Sequence, residues 1–404
     1  MHPVLFRIPI PGWELPIVGK VDAIPIYSYG VMLGLSLVVG WYLTLGLAEK
    51  DGLPRETMAN NYVVTALVAV LASRLLYVVT NLDEFRSIGE VFSFRGGGLV
   101  AYGGFLGGFV GSWAYLGYKR IRLLPWADVA VPSLASGLAI TRIGCYLFGC
   151  DFGARMSDAA PAWLQKLGSF PHWAAGTVPG SDGAPAWVRH HRDLKLIGFD
   201  APTSLPVHPT QLYESLIGVG LLALLLWARR RQRFRGQIFL LFTFAYGVCR
   251  FLIELLRDDP ERGSLPPALA EHVLLPACLV LFAIGYAASF ARMVENEALR
   301  RVTGILAFVP AVVAYLALRP QTFAPATPAQ LSTSQFIGLA TALATAVVFA
   351  IFHRAALAHP ETAMALELPE AVSPARDADA AADEAPAPDK SKSKSKDADA
   401  DDAG

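Results

Sequence analysis

Residues 137–153, GLAITRIGCYLFGCDFG, decide how the rest of the chain reads. The stretch is apolar and Gly-studded, and it carries one arginine, Arg142, and two cysteines, Cys145 and Cys150. It closes a hydrophobic run that begins near Ala127. A run of that length suits a membrane-spanning helix, which needs about 20 apolar residues. A cation at that depth is costly unless an anion or a polar cavity meets it. Phosphate is one candidate, because a planar guanidinium offers forked donors to its oxygens. The alternative is that Arg142 snorkels to the interface or pairs with a neighbouring helix.

Outward from this stretch the chain keeps the same character. Of its 404 residues, 54% are hydrophobic and 17% charged, and the mean hydropathy is +0.42. That balance excludes a pair of ordinary soluble domains and indicates an all-α polytopic membrane protein. Apolar runs lie near 27–47, 60–80, 98–117, 127–148, 210–228, 237–256, 268–290, 302–318 and 335–353, giving nine expected spans. The expected plan is an exoplasmic interfacial segment at 1–24, a seven-span core at 25–290, two additional spans within 291–356 and a tail at 357–404. The N-terminus lacks the basic start, apolar core and cleavage site of a signal peptide, so the first span is expected to remain. The tail is low-complexity, charged and free of aromatics, and is expected to be disordered and cytoplasmic.

Loop cations set the expected orientation. One alternating set of loops holds Lys50 and Arg55, then Lys119, Arg120 and Arg122, then five arginines within 229–235, then Arg292, Arg300 and Arg301. The other set is poorer, with Arg86, Arg95, Arg257, Arg262 and Arg319. The N-terminus is therefore expected outside and the C-terminus in the cytoplasm, with Arg142 near the outer leaflet. Residues 151–206 form one long exoplasmic loop, rich in Trp, Pro, His and Gly, that reads as a small folded head between spans four and five. His190 and His191 within it read as surface histidines, because adjacent histidines point apart and no third ligand is evident. The four cysteines, at 145, 150, 249 and 278, show no zinc spacing and no disulfide framework.

Further polar groups recur at the outer ends of the spans. Tyr27 and Tyr29 stand in PIYSYG, and Arg74 and Tyr77 in ASRLLYVV. Tyr102 stands between Gly96–98 and Gly103 with Gly104, where the glycines serve either close helix packing or the approach of a lipid. His208, Gln211, Tyr213 and Glu214 stand in VHPTQLYES. Arg250, Glu254 and Arg257 are spaced i, i+4 and i+7, which predicts one helix face. Each cluster alone is most simply a helix lock. Their convergence on one depth points to a site for an anionic headgroup.

Taken together, these motifs resemble the prolipoprotein diacylglyceryl transferase family. TRIGCYLFGCDFG (141–153) follows the family signature through Arg142, Gly144, Tyr146 and Gly153. HPTQLYES resembles the family's His-Pro-Ser-Gln-Leu-Tyr-Glu, and YGVCRFLIELLRDDP its Tyr-Gly-x-x-Arg-x-x-x-Glu-x-x-Arg through Arg250, Glu254 and Arg257. ASRLLYVV, YSYG and the Ala-Asp at Asp128 also match, in order, over about residues 25–265. The resemblance implies transfer of the diacylglyceryl group of phosphatidylglycerol to the thiol of a prolipoprotein lipobox cysteine, with glycerol 1-phosphate leaving. It implies phosphatidylglycerol, the lipobox segment and membrane lipids as partners in a bacterial inner membrane, with no cofactor, metal or nucleic acid. Arg142 and Arg250 would hold the phosphate; Tyr102, His208 and Glu254 complete the implied catalytic set. Tyr29, Arg74, Tyr77, Gly104, Gly144, Cys145, Cys150, Gly153, Gln211, Tyr213 and Arg257 make up the implied substrate-binding set.

The chain departs from the family pattern at telling places. Tyr102 stands where the family has an essential histidine, and a phenol with a reference pKa of about 10 is a poor base at neutral pH. Cys145 and Phe148 replace two signature asparagines, Cys150 the signature glutamate, and Thr141 the leading glycine. The alternatives are therefore a catalytically altered protein that binds phospholipid or lipoprotein, or a related lipid transferase with another acceptor. Cys145 and Cys150 could bridge only if the helix ended between them, at Gly149; otherwise they are small buried residues.

Overall fold

The computed structural model describes residues 1–15, 19–85, 88–91, 98–174, 176–178, 181–258, 263–320 and 327–368. Arg86, Arg95, Gly96, Gly97, Arg262 and the tail beyond 368 lie outside the described residues. The chain opens with an antiparallel hairpin, β1 (Val4–Leu15) and β2 (Gly19–Tyr27). Then follow α1 (Ser28–Lys50), α2 (Arg55–Thr80), the short α3 (Ile88–Val91), α4 (Ala101–Tyr118) and α5 (Leu123–Phe148). The head carries α6 (Ala162–Leu167) and α7 (Pro185–Val188). After it come α8 (Thr210–Arg229), α9 (Gln237–Glu254), β3 (Leu265–Ala270), α10 (Glu271–Ala288), α11 (Glu297–Leu306) and α12 (Val309–Leu318). The chain continues with β4 (Pro328–Leu331), α13 (Thr333–Ala358) and α14 (Pro360–Ala363).

Among the described residues, eight helical segments are long and apolar enough to cross a membrane. The Gly-rich α4 is an additional apolar helix of 18 residues. The protein is a polytopic helical membrane protein, with two two-stranded sheets, β1–β2 and β3–β4, beside its helices. Span eight differs from its expected continuous form: it divides into α11 and α12 at 307–308, with Pro310 in the first turn of α12. Proline fits there because its missing N–H would have no helical partner. The expected helix face through 257 is also corrected. Helix α9 ends at Glu254, and Arg257 runs antiparallel to Gly153. Its backbone is taken by that bridge, and Leu256 O accepts the N–H of Ala154 at 2.7 Å.

The glycines of α4 face α2. A Cβ on Gly103 would lie 2.5 Å from the carbonyl oxygen of Ala72, and one on Gly107 would collide with the Ala72 side chain. Close helix packing is thus the role of both positions. The largest buried cluster joins α5, α8, α9, α10 and α13. Its aromatic rings pack at tilted and edge-on angles: Phe244 to Phe290 at 4.5 Å, Phe290 to Phe349 at 4.3 Å, and Phe251 edge-on to Phe282 at 5.4 Å. Helix α13 lies against α9 so closely that a Cβ on Gly247 would sit 2.7 Å from Gly338 O.

Asp128 explains how a carboxylate is tolerated inside an apolar helix. It is fully buried, and it accepts the backbone N–H of Gly236 at 2.5 Å and those of Ile238 and Phe239 at 2.9 Å. The Gln232 amide donates a further bond at 2.6 Å. Asp128 therefore caps α9, whose first N–H groups have no helical acceptor. At the same end, Asp51 receives Arg229 at 2.6 Å and Arg235 at 2.7 Å, so two cations of the 229–235 cluster hold helices together. Asp128 and Arg142 are 14 residues apart on α5, about 21 Å at 1.5 Å per residue, so the Arg142 site lies toward the other end of the bundle.

In the head, Phe152, Phe170, Trp173 and Val207 form a small core. The reading of the adjacent histidines as surface residues is corrected here for His190, while His191 is partly exposed. His190 is 3% exposed, and its Nδ1 accepts the N–H of Leu205 at 3.1 Å. His191 stacks on Trp187 at 4.9 Å, with His172 also stacked on Trp187 at 4.1 Å.

Candidate active site

Arg142 lies 1.7 turns from the end of α5, on the face that meets α8. Gly149 ends this helix with φ +91, the left-handed conformation that glycine adopts without steric cost. Asp151 follows with φ +56, an uncommon value for a residue with a Cβ. The turn is held by several contacts. Thr210 Oγ1 donates to Asp151 O at 2.5 Å, and the buried Gln211 amide donates to Cys150 O. Gly153 N–H donates to His208 O at 2.9 Å. A Cβ on Gly153 would lie 2.5 Å from Leu256 O, so only glycine lets these three backbones meet.

The side chains converge as a network of three arginines and three carboxylates. Arg142 Nε lies 2.6 Å from Glu214 Oε2 as an ion pair, and its Nη1 donates to Asp151 Oδ2 at 2.8 Å. Arg250 reaches Glu214 Oε1 at 3.3 Å and Glu254 Oε2 at 2.9 Å. Arg257 reaches Asp151 Oδ1 at 2.8 Å and lies 3.8 Å from Glu214 Oε1. The six charges sum to zero, which makes their burial tolerable. Among the described residues, Nη2 of Arg142 has no acceptor. Burial would raise the Asp151 carboxyl, but Arg142 and then Arg257 outweigh it and hold that group below the usual carboxylate range.

The two cysteines are free thiols. Arg142 Nη1 approaches Cys145 Sγ at 3.7 Å, and Cys150 Sγ lies 3.6 Å from Asp151 Oδ2. Its hydrogen bond with Cys145 and its burial push the Cys150 thiol up. Both sulfurs and an Asp151 oxygen lie within 4.8 Å of one another. A cation in that space would compete with the Arg142 guanidinium for the same donors, so this geometry favours the arginine as their partner.

Other expected residues fall around the network. Gly144 faces α1, where a Cβ would meet the Tyr29 Cα at 3.1 Å, and Tyr29 is within electrostatic range of Arg142 and Asp151. His208 Nδ1 lies 3.4 Å from the Tyr213 hydroxyl, with no described contact to the three arginines. Gly104 faces Ser73 on α2. The described contacts of Arg74 and Tyr77 are with the α2–α4 connection. Arg74 donates to Val91 O at 2.9 Å and Gly98 O at 3.1 Å, and sits 5.2 Å from the Phe85 ring. Tyr102 is 38% exposed, and its hydroxyl donates to Ser334 Oγ at 3.2 Å.

Three residues of the site escaped the reading of the sequence. Asp151 carries, one position on, the acidic charge missing at Cys150; its place in an apolar turn was an available signal. Tyr246 stands one turn before Arg250 and within electrostatic range of Arg142, Glu214 and Tyr102. Ser334 carried no signal in the sequence at all.

Comparison with known proteins identifies the family. The profile of the prolipoprotein diacylglyceryl transferases matches residues 16–294, more than half of the chain. The chain belongs to the prolipoprotein diacylglyceryl transferase family. A phosphatidylglycerol–prolipoprotein diacylglyceryl transferase of Clostridium tetani is 28% identical over 250 residues, 62% of this chain and 88% of that protein. One from Clostridium perfringens is 27% identical over 253 residues, covering 62% and 85%. One from Geobacillus kaustophilus is 30% identical over 255 residues, again 62% and 85%. The three arginines and three carboxylates all fall inside the family match, whereas Ser334 falls outside it.

Proposed function

We propose that this protein transfers the diacylglyceryl group of phosphatidylglycerol to the thiol of a prolipoprotein lipobox cysteine. The observation that carries the reading is the pair Arg142 and Arg250, held by one buried carboxylate, Glu214, in a chain of this family. Glu214 fixes both guanidinium groups, and Nη2 of Arg142 remains for a phosphate oxygen. The lipobox sulfur forms a bond to the glyceryl carbon as the bond from that carbon to the phosphate oxygen breaks. Glycerol 1-phosphate leaves with the electron pair, and the arginines stabilise the charge that develops on it. The thiol proton goes to a base; His208, beside Tyr213, is the candidate, because the phenol of Tyr102 is too weak. Tyr102 orients lipid or the entering thiol.

The setting in this reading is a bacterial inner membrane, with the N-terminus and residues 151–206 outside and the C-terminus in the cytoplasm. The loop cations support that orientation. Cysteine-accessibility labelling from outside should reach the head and not residues 229–235; the reverse pattern would place the site at the wrong leaflet. The decisive experiment combines purified protein, phosphatidylglycerol and a lipobox peptide, with the thioether product followed by mass spectrometry. Absence of product, with phosphatidylglycerol still bound, would favour a lipid-binding protein instead.

A further inference from the structure

The last span, α13, lies beyond the residues that match the family, yet it begins inside the site. Its start is fixed three times over. Ser332 and Gln335 form a reciprocal capping box, so the first turn has one geometry. The residues just before it, β4, pair with β3, the strand that follows the α9 segment. Gly338 then packs against Gly247 of α9, less than one turn before Arg250. Ser334 sits inside the capping box and about one turn before this crossing, and so has little freedom to move relative to Arg250.

The Ser334 hydroxyl accepts two hydrogen bonds. Arg250 Nη2 donates to it at 3.2 Å, and the Tyr102 hydroxyl donates to it at 3.2 Å. A hydroxyl has two acceptor lone pairs and one donor proton. Both lone pairs are engaged, so the proton is directed away from Arg250 and Tyr102. Among the described residues it has no acceptor within hydrogen-bond reach. Arg250 already spends Nη1 on Glu214, so Ser334 adds a neutral donor next to a cationic one. That pairing suits an anionic oxygen better than an apolar group. We propose that Ser334, supplied by the appended span, is a ligand-binding residue that donates to the headgroup phosphate of the phospholipid and holds Arg250 and Tyr102 in register around it.

This rests on the transferase reading, and the experiment separates the two. The full chain is purified as wild type, Ser334→Ala, Ser334→Thr and Ser334→Val, the last two being nearly equal in shape. Each is assayed for thioether formation across a range of phosphatidylglycerol in mixed micelles. Each is also tested for phosphatidylglycerol retention by native mass spectrometry, against diacylglycerol, which lacks the phosphate. Loss of one neutral donor predicts roughly a 5- to 20-fold fall in kcat/KM for Ser334→Ala and Ser334→Val. Most of it should be in KM for phosphatidylglycerol, with matching loss of bound lipid and equal melting temperatures. Ser334→Thr should recover at least half of the wild-type value. Wild-type activity and lipid retention in Ser334→Val would overturn the proposal while leaving the transferase reading intact. A wild type that makes no thioether would defeat that reading, and the retention measurement would still decide Ser334. Equal retention of phosphatidylglycerol and diacylglycerol by all four proteins would overturn the phosphate contact.

Discussion

Arg142→Lys is the substitution that best separates a phosphate site from a helix lock. Arg142 spans two carboxylates, with Nε at 2.6 Å from Glu214 and Nη1 at 2.8 Å from Asp151. A lysine ammonium is a point charge and cannot fill both positions while leaving a third donor free. At least one charge-assisted hydrogen bond is lost, which costs about 1.5–3 kcal/mol. The side chain is 18% exposed, so solvent screens only part of that. Converted to a rate, kcat/KM should fall roughly 10- to 150-fold. The fall should include kcat, because charge on the departing phosphate develops in the transition state. The fold should survive. Arg257 still holds Asp151 at 2.8 Å, Arg250 still holds Glu214 at 3.3 Å, and Gly153 N–H still meets His208 O at 2.9 Å. The assay is thioether formation on a lipobox peptide, set beside folded yield and melting temperature. Equal losses of folded protein and activity would refute the phosphate reading and leave a structural ion pair.

Three other outcomes are expected. Tyr102→Phe should keep activity within about tenfold of wild type, since it removes only one hydrogen bond to Ser334; complete loss with an intact fold would make the phenol essential. Asp128→Ala leaves three backbone N–H groups, that of Gly236 and two in the first turn of α9, without their acceptor, at roughly 1–3 kcal/mol each, so little folded protein should accumulate, whereas Asp128→Asn keeps an acceptor oxygen and should recover part of it; a wild-type melting temperature for Asp128→Ala would disprove the cap. Burial holds the His190 imidazole below its ordinary value. The unfolded head therefore takes up that proton first. The contribution of His190 is complete above about pH 6.5, and it is lost as pH falls through the depressed folded value. The protection factor of the Leu205 amide against hydrogen exchange should fall over that range in wild type and less so in His190→Gln; identical profiles would contradict the assignment.

The sequence by itself determined where the chain enters a membrane, and which family segments occur in which order. Both are local properties. Apolar runs partition by their own transfer energy, and stretches such as HPTQLYES are legible without knowing what they touch. Arg142, Arg250, Arg257 and Glu254 were visible because charge inside an apolar run is conspicuous. Only the tertiary structure decided how those charges are paired. Glu214 bridges α5 and α9, and Asp151 rather than Cys150 supplies the carboxylate between Arg142 and Arg257. Arg257 arrives there from a backbone bridge and not from a helix face, since the end of α9 is set by its pairing with Gly153. His190 looked like a surface residue until the fold showed the backbone N–H it accepts. Ser334 meets Tyr102 across 232 residues of sequence. No periodicity or propensity encodes a contact at that separation, because its energy exists only once α13 has packed against α9 and brought the two hydroxyls together.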